Sequence, residues 1–179
     1  MVQVGVPAGV VAYDPQWPEQ FEKLRSLIDS ALAGVRHITV HIGSTAVPGL
    51  DAKPIIDLDV VVTNQAAVAE AIRALAAAGW QHEGDLGIPG REAFRPPAST
   101  IYHHLYLLTH GSQAHRDHMD LRDFLRAHPV EAARYARLKH QLAPLVQTDR
   151  AAYVTGKANL IAELLTQARQ KSALGQAAV

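Results

Sequence analysis

The sequence predicts a single domain with an α+β fold, on three observations. The chain has 179 residues, which suits one domain, since domains usually run to about 100–200 residues. Patterns typical of strands and of helices are mixed along the first two thirds, and the last third contains helical patterns alone. A regular alternation of strand and helix, which would predict a parallel sheet, is absent. We expect the domain to span residues 1–171 and a disordered tail to follow at 172–179.

The chain up to residue 79 is predicted to form three strands and two helices. Asp14 and Pro15 supply a helix N-cap and a first-turn proline, and Gly34 supplies a helix end. Asn64 caps a second, alanine-rich helix. A turn-rich loop separates the second and third strands. The predicted elements are strands at 10–13, 38–42 and 55–62, and helices at 17–32 and 65–78.

The rest of the chain is predicted to contain two strands and three helices. Between the strands, residues 84–97 hold three glycines and three prolines, so they cannot form regular structure throughout. Pro129 and Pro144 end two of the helices. The predicted elements are strands at 80–82 and 101–108, and helices at 114–127, 130–142 and 155–171.

The composition excludes several kinds of site. The chain has no cysteine, which rules out disulfides, thiolate zinc sites, iron–sulfur clusters and a cysteine nucleophile, so any metal must bind through Asp, Glu or His. The N-terminal residues include no basic residue before their apolar part, and no apolar run approaches ~18 residues, so we predict a cytoplasmic protein with no membrane span. The formal net charge of zero argues against a dedicated nucleic-acid binder without excluding one, and the oligomeric state stays open.

Two carboxylates lie two residues apart on the predicted strand at 55–62. Because alternate residues of a strand point to the same side, Asp57 and Asp59 face one way and their apolar neighbours face the other. Two like charges so close repel each other, and a divalent cation relieves that repulsion. The pair therefore indicates a metal site, although two solvated aspartates on a strand edge give the same pattern.

Gly43 and Ser44 lie ahead of this strand. A glycine lets the backbone approach an anion closely, and a serine hydroxyl together with exposed N–H groups can hold a phosphate oxygen. Taken alone, the pair also fits an ordinary turn. Combined with the two aspartates at this spacing, it predicts a phosphate-binding loop beside a metal site.

The segment from His41 to Val62, HIGSTAVPGLDAKPIIDLDVVV, resembles the GrpB family. More broadly, its Gly-Ser pair and its Asp-x-Asp pair are similar to the signature of the nucleotidyltransferase superfamily, which has the DNA polymerase β-like fold. The resemblance covers about residues 10–168. Further stretches that agree with it are YDPQWP at 13–18, GIPGR at 87–91, HHL at 103–105, LRDFLRAHP at 121–129, the run 135–142 around Lys139, and Tyr153 with Lys157.

The resemblance implies a fold, a reaction and a set of ligands. The fold is a mixed sheet with flanking helices and a helical C-terminal part. The reaction is transfer of a nucleotidyl group from a nucleoside triphosphate to an acceptor hydroxyl, with two ions of Mg²⁺ or Mn²⁺ held by three carboxylates. Under this resemblance Asp57 and Asp59 are metal ligands, and Gly43 and Ser44 bind the phosphates of the nucleotide.

The third carboxylate has no counterpart in this sequence, because the predicted strand at 101–108 contains no Asp or Glu. Alternation puts Tyr102, His104 and Tyr106 on one face of the strand, so we predict that His104 takes the third position. A neutral imidazole suits Zn²⁺ or Mn²⁺ better than Mg²⁺, and it can alternatively act as a base or a phosphate donor. Relatives tend to have histidine in place of Tyr106 and often glutamate in place of Val40.

Five basic side chains are candidates for binding phosphate. Arg122 and Arg126 lie four residues apart on one helix face, and guanidinium groups match the geometry of phosphate oxygens. Each candidate is also explained as a solvated or ion-paired side chain. His115 and His118, three residues apart on the same predicted helix, can together ligate a metal or simply be exposed. The five candidates are Lys53, Arg91, Arg122, Arg126 and Lys157.

Three functions therefore stay open. The first is metal-dependent nucleotidyl transfer to an unidentified acceptor, with Asp57, Asp59 and His104 as the catalytic and metal-binding residues. The second is a non-catalytic module of the same fold that binds a nucleotide or another phosphorylated metabolite, which the missing third carboxylate favours. The third is a hydrolase that uses a transition metal held by histidine and aspartate side chains.

Overall fold

A computed structural model describes residues 9–176, with side chains for residues 9–145, 148–149 and 151–171. Its strands are β1 (His37–Ile42), β2 (Ile56–Val62), β3 (Gln81–Gly84), β4 (Arg91–Arg95) and β5 (His103–Thr109). Its helices are α1 (Trp17–Ala31), α2 (Gln65–Ala77), α3 (Gln113–Ala127), α4 (Pro129–Leu142), α5 (Leu145–Thr148) and α6 (Arg150–Gln176), with a short 3₁₀ helix at Ser44–Ala46. None of the helices in this described part has the length and apolar content that crossing a membrane requires.

The strands form one mixed sheet in the order β1-β2-β5-β4-β3. The central strands β2 and β5 are parallel, and the other neighbouring pairs are antiparallel. Helices flank this sheet, and the C-terminal part from α3 onward is helical. The predicted α+β class, with a mixed sheet and a helical C-terminal part, is therefore confirmed.

One face of the sheet packs against α1 and α2. Helix α1 begins after Asp14, whose carboxylate accepts a hydrogen bond from the Gln16 backbone N–H at 2.8 Å. Its buried stripe includes Trp17, Leu24 and Ile28, which recur at helical spacing. Alternate residues of the two central strands fill the same core: Ile56, Leu58, Val60, Val62, Leu105 and Leu107.

The opposite face of β2 is turned toward the C-terminal helices. Because side chains alternate along a strand, Asp57 and Asp59 point away from the core that α1 and α2 cover. Helices α3, α4 and α6 enclose a second core with the loop before β2. Its buried members are Val47, Leu50, Phe124, Leu125, Tyr135, Leu160, Leu164 and Ala168. The two aspartates thus lie between the sheet and this helical part.

Strand β4 lies within the segment 84–97, where the sequence predicted no strand and excluded regular structure throughout. The glycines and prolines of that segment fall before and after the strand, not inside Arg91–Arg95. Within the strand, Ala93 and Phe94 are buried and pair with Tyr106 and Leu105 of β5. The density of turn-forming residues therefore concealed a five-residue strand.

The predicted elements at the two ends of the chain also differ from the structure. The predicted strand at 10–13 is wrong, since pairing there is limited to a single bridge between Val11 and Ala52. Helix α6 begins five residues earlier than predicted and includes Gly156, where an added Cβ would lie 2.9 Å from both methyl groups of Leu142. The backbone of α6 continues to Gln176, within the segment expected to be disordered, and residues 177–179 lie outside the described residues.

Candidate functional site

The loop after β1 brings Gly43 directly against Asp57. Ile42 pairs with Asp57 across β1 and β2, so the next residue of the chain passes beside the carboxylate. Gly43 has φ +73° and ψ −169°, a conformation that is essentially confined to glycine. A Cβ at this position would lie 2.9 Å from Cβ and Cγ of Asp57 and closer still to its Oδ2. The anion that this glycine approaches is therefore a carboxylate of the protein itself.

His104 contacts the same carboxylate from the neighbouring strand. The parallel register of β2 and β5 puts His104 opposite Asp57, and its Nδ1 lies 2.7 Å from Asp57 Oδ1. The two side chains are partly exposed, at 26% and 25%. The fold thus brings two of the three predicted catalytic residues together, in a position that a ligand can reach.

Asp59 is in a different environment, because helix α3 covers it. Its side chain has no exposed surface. It accepts hydrogen bonds from Nδ1 of His115 at 2.8 Å and from Nδ1 of His118 at 2.9 and 3.0 Å. The two imidazoles lie three residues apart and so share one face of α3. They satisfy the buried carboxylate, so Asp59 is directed at protein groups and not at open space.

The described residues contain no group of three or more histidine, aspartate or glutamate side chains that is arranged to hold a metal ion. His115 and His118, which the sequence suggested as a metal pair or as exposed residues, are partly buried hydrogen-bond donors to Asp59. The interpretation as a transition-metal hydrolase therefore receives no support from this arrangement.

A cavity of about 290 Å³ opens beside Asp57, and we name it the lysine cavity. Its wall includes Tyr153 of α6, whose ring centroid lies 4.4 Å from Lys53 Nζ and 4.2 Å from Lys157 Nζ. Burial and the nearby Asp57 raise the pKa of Tyr153, so its hydroxyl keeps its proton. The charged and hydroxyl side chains that line the cavity are Ser44, Thr45, Lys53, Asp57, Tyr106, Lys139, Tyr153 and Lys157.

Lys139 is the lysine of this cavity that sequence reasoning did not select. It is 2% exposed and donates a hydrogen bond to the Asp51 carbonyl, and its Nζ lies 4.7 Å from the centre of the Tyr135 ring. Burial is the main reason that the pKa of Lys139 is lowered to about 7, and the nearby charge of Lys157 contributes to the same shift. The available signal was the spacing of four residues from Tyr135, which places both side chains on one face of α4.

A second cavity, of about 360 Å³, adjoins the first at Asp57, and we name it the arginine cavity. Arg91 and Arg122 line it, together with the imidazole of His118. Its apolar wall comes mainly from α3 and α6. The residues that line both cavities are Ser44, Asp57, Tyr106 and Lys157. Asp57 therefore lies at the junction of the two spaces.

Arg122 and Arg126 bind the backbone of the loop region and so attach α3 to it. Arg122 Nη1 donates to the His41 carbonyl at 3.0 Å, and its Nε donates to Asp123 at 2.7 Å. Arg126 Nε donates to the Ala46 carbonyl at 2.8 Å. Arg126 is absent from the walls of both cavities as described, so the structure separates it from the other four predicted phosphate-binding residues.

A neutral histidine and a tyrosine fix the loop that contains Gly43 and Ser44. Burial lowers the pKa of His41 to about 4, and the charges of Arg126 and Arg122 add to this effect against the opposing effect of Asp57. His41 Nε2 lies 3.0 Å from Thr45 Oγ1. The Ser44 side chain hydrogen-bonds to Tyr135 of α4. The loop is therefore held from both the sheet and the helical part.

The GrpB protein family matches residues 7–167 of the chain. The chain belongs to the GrpB family. The UPF0157 protein YqkA of Bacillus subtilis is 35% identical over 152 residues, which are 83% of this chain and 43% of that protein. A UPF0157 protein of Pseudomonas aeruginosa is 37% identical over 163 residues, 89% of this chain and 66% of that protein. The chain thus spans less than two thirds of the length of these two relatives.

Solved structures place the GrpB-family chain in a wider fold group. The crystal structure of the conserved protein GrpB from Enterococcus faecalis has a TM-score of 0.80 at 32% identity and covers 91% of this chain and 98% of that one. The Cid1 poly(U) polymerase with MgGTP bound has a TM-score of 0.53 at 14% identity, over 74% of this chain and 43% of that one. At such low identity the second likeness shows the fold alone. The nucleotidyltransferase-like fold predicted from the sequence is thereby confirmed.

Proposed function

We propose that this GrpB-family chain binds a nucleoside triphosphate in the lysine cavity and transfers its nucleotidyl group to an acceptor hydroxyl. The observation that carries the proposal is the position of Asp57, a partly exposed carboxylate at the junction of a lysine-lined cavity and a second cavity. This arrangement offers separate space for a donor and an acceptor on either side of one acidic group.

The lysine cavity has the chemistry that a triphosphate requires. Lys53, Lys139 and Lys157 line it together with the Ser44 hydroxyl, and clustered cations raise the local concentration of a polyanion. Ammonium groups act as compact charges toward phosphate oxygens, and a serine hydroxyl can donate one further hydrogen bond. A bound phosphate chain also favours the protonated form of Lys139, whose pKa burial lowers to about 7.

The residues present fit a divalent ion that enters with the nucleotide. Mg²⁺ is usually bound through one or two carboxylates, several waters and the phosphates of a substrate, so a preformed cluster of protein ligands is unnecessary. Asp57 would hold such an ion, which neutralises phosphate charge when bound. Asp59 would be unavailable to it in the present arrangement, since its oxygens accept hydrogen bonds from His115 and His118. If a transition metal such as Zn²⁺ were bound instead, His104 would offer Nε2, because its Nδ1 is bonded to Asp57.

The side chains around Asp57 would act by positioning. His104 holds one carboxylate oxygen at 2.7 Å, and the Gly43 backbone limits movement on the side of Oδ2. Phosphoryl-group chemistry depends mainly on placement of the reactants and on electrostatic stabilisation. A fixed carboxylate beside a lysine-lined cavity supplies both.

A second candidate function is a binding module of the same fold without turnover. The enclosure of Asp59 by the two imidazoles of α3 favours it, because only one carboxylate of the Asp-x-Asp pair then faces a ligand. This module would bind a nucleotide or another phosphorylated metabolite through the same lysines.

The two candidates are separated by a binding assay and a turnover assay on the full chain. The melting temperature is measured with each nucleoside triphosphate, with and without Mg²⁺ or Mn²⁺, because a ligand that binds the folded state raises it by mass action. Pyrophosphate release is then followed with the stabilising nucleotide. Nucleotidyl transfer predicts release that Asp57→Asn abolishes and that Asp120→Asn, an exposed change on α3, leaves intact.

Each outcome decides between the candidates. Stabilisation by a nucleotide without pyrophosphate release for any acceptor tried favours the binding module. Absence of stabilisation by every nucleotide contradicts both. Stoichiometric Zn²⁺ in the purified protein that is lost on His104→Ala would instead revive the hydrolase.

A further inference from the structure

The arginine cavity contains a buried guanidinium group that the fold leaves incompletely satisfied. Arg91 is 8% exposed, and its Cζ lies 4.4 Å from the centre of the Tyr106 ring. Its Nη2 donates one long hydrogen bond, of 3.4 Å, to the Asp85 carbonyl. Its Nε has no hydrogen-bond partner, and within the part of the chain that the structure describes no carboxylate forms an ion pair with it.

The neighbouring arginine of the same cavity is different. Arg122 is paired with Asp123 at 2.7 Å and is bonded to the His41 carbonyl at 3.0 Å. A buried cation without a counter-ion is costly, and so is a buried N–H without an acceptor. An anionic group supplied by a ligand offsets both penalties at Arg91, whereas Arg122 already has its partners. Of the two arginines, Arg91 is therefore the one that an anionic group of a ligand would satisfy.

The rest of the cavity restricts what else such a ligand contains. Asp57, which also lines the lysine cavity, is part of its wall. The apolar side chains of the wall include Leu121, Leu125 and Ile161. A volume of about 360 Å³ is at the low end of the range for small-molecule sites. The cavity thus combines cationic side chains, apolar side chains and access to the proposed reaction centre.

We propose that the arginine cavity binds the acceptor, and that the acceptor is a small molecule with a hydroxyl group, an apolar portion and a carboxylate or phosphate. The anionic group binds Arg91 and the hydroxyl lies beside Asp57. This inference rests on the proposed function. In the step, the acceptor oxygen forms a bond to the α-phosphorus while the bond from that phosphorus to the bridging oxygen of the β-phosphate breaks. Pyrophosphate leaves and the hydroxyl proton passes to water.

A nucleic-acid end fits the cavity less well. Its backbone would require a basic surface leading to the site, and the chain has a formal net charge of zero. An RNA acceptor is accordingly an outcome of the test that counts against the proposal.

The test measures binding to the full chain by calorimetry with two anionic probes. Mandelate combines a carboxylate, a hydroxyl and an apolar ring, and glycerol 3-phosphate combines a phosphate with hydroxyls. Mandelamide and glycerol are their neutral counterparts. The variant Arg91→Met removes the cation and Arg91→Lys keeps it. Arg95→Met is the matched control, since Arg95 lies on the same strand, is exposed and is paired with Glu83.

We expect at least one anionic probe to bind the wild type more tightly than its neutral counterpart does. We expect Arg91→Met to weaken that binding by about tenfold or more, which is the effect of losing a charge-assisted hydrogen bond. Arg91→Lys should retain part of the affinity, and Arg95→Met should stay within about twofold of the wild type. Which probe binds distinguishes a carboxylate site from a phosphate site.

Nucleotide binding to the same variants separates this inference from the proposed function. If Arg91→Met binds a nucleoside triphosphate as the wild type does but loses the anionic probe, the two sites are distinct as proposed. If no nucleotide binds the wild type, the proposed function fails whatever the probes do. If a nucleotide binds while neither probe does, or if probe affinity is unchanged in Arg91→Met, the acceptor inference is overturned. Label transfer to a short RNA and to neither probe overturns it as well.

Discussion

Replacing Gly43 by alanine tests whether the close approach between the loop and Asp57 organises the site. Two effects add at this position. The backbone conformation at φ +73° and ψ −169° costs a residue with a Cβ about 1–3 kcal/mol. The new Cβ would also lie 2.9 Å from two carbons of Asp57, and overpacking of this kind costs about 1–3 kcal/mol.

We therefore expect Gly43→Ala to lower the free energy of unfolding by about 2–6 kcal/mol, a large part of the ~5–15 kcal/mol that holds a typical domain together. The assay is urea unfolding followed by circular dichroism, together with the nucleotide-induced rise in melting temperature. Asp57 must move to relieve the contact, so nucleotide stabilisation should also decrease in whatever fraction stays folded.

Gly49 supplies the matched control. Its φ is +78°, yet a Cβ built there meets nothing within 4 Å. Gly49→Ala should thus show the backbone effect alone, about 1–2 kcal/mol. The difference between the two variants measures the contact with Asp57 together with any extra backbone cost of the Gly43 conformation. Equal destabilisation by the two substitutions, with nucleotide binding retained in both, would refute the reasoning.

Three further predictions concern groups near this junction. Asp59→Asn should lower the free energy of unfolding by about 2–4 kcal/mol, because a buried imidazole N–H then loses its acceptor. Between pH 7 and 10.5 the unfolded chain keeps a proton at Lys139 that the folded chain releases, so stability should rise with pH by up to about 1.4 kcal/mol per pH unit, and Lys139→Met should remove this contribution. From pH 6.5 down to about 4 the unfolded chain gains a proton at His41 that the folded chain excludes. The free energy of unfolding should therefore decrease as the pH is lowered through this range, and it should decrease less steeply in His41→Gln.

Urea unfolding at a series of pH values measures all three effects. Asp120→Asn, an exposed change on α3, is the control for Asp59→Asn, and equal losses would contradict the enclosed carboxylate. Lys23→Met, at an exposed helix position, is the control for Lys139→Met, and an unchanged pH slope in the latter would mean that the ammonium group is hydrated. Full acid sensitivity in His41→Gln would show that another group causes it.

Much of the fold follows from local patterns in the sequence. Apolar alternation located β2, and the side chains of Asp14 and Asn64 act near the N-termini of α1 and α2 as hydrogen-bond acceptors. Strand β4 could not be found this way, because turn-forming residues bound five residues whose pairing with β5 is a long-range contact. Local composition contains no information about that partner.

The candidate site was also predictable only where its contacts are close in the sequence. The twelve residues between Ser44 and Asp57 allow a hairpin-like return, so the proximity of Gly43 to Asp57 was predictable. The partners of Asp59 were not, since His115 and His118 are more than fifty residues away in the sequence and a helical pattern does not specify which strand the helix covers. Likewise, Arg91 and Arg126 have equivalent side chains, and only the packing of β4 and α3 gives one a cavity and the other a carbonyl partner.

Helix α3 is attached through main-chain oxygens to the end of β1, at His41, and to the loop before β2, at Ala46. A carbonyl is present whatever residue occupies a position, so these two attachments survive any substitution in the loop that preserves its path. A substitution in the loop away from Gly43, Ser44 and Thr45 can consequently change ligand preference without detaching the helical half of the molecule.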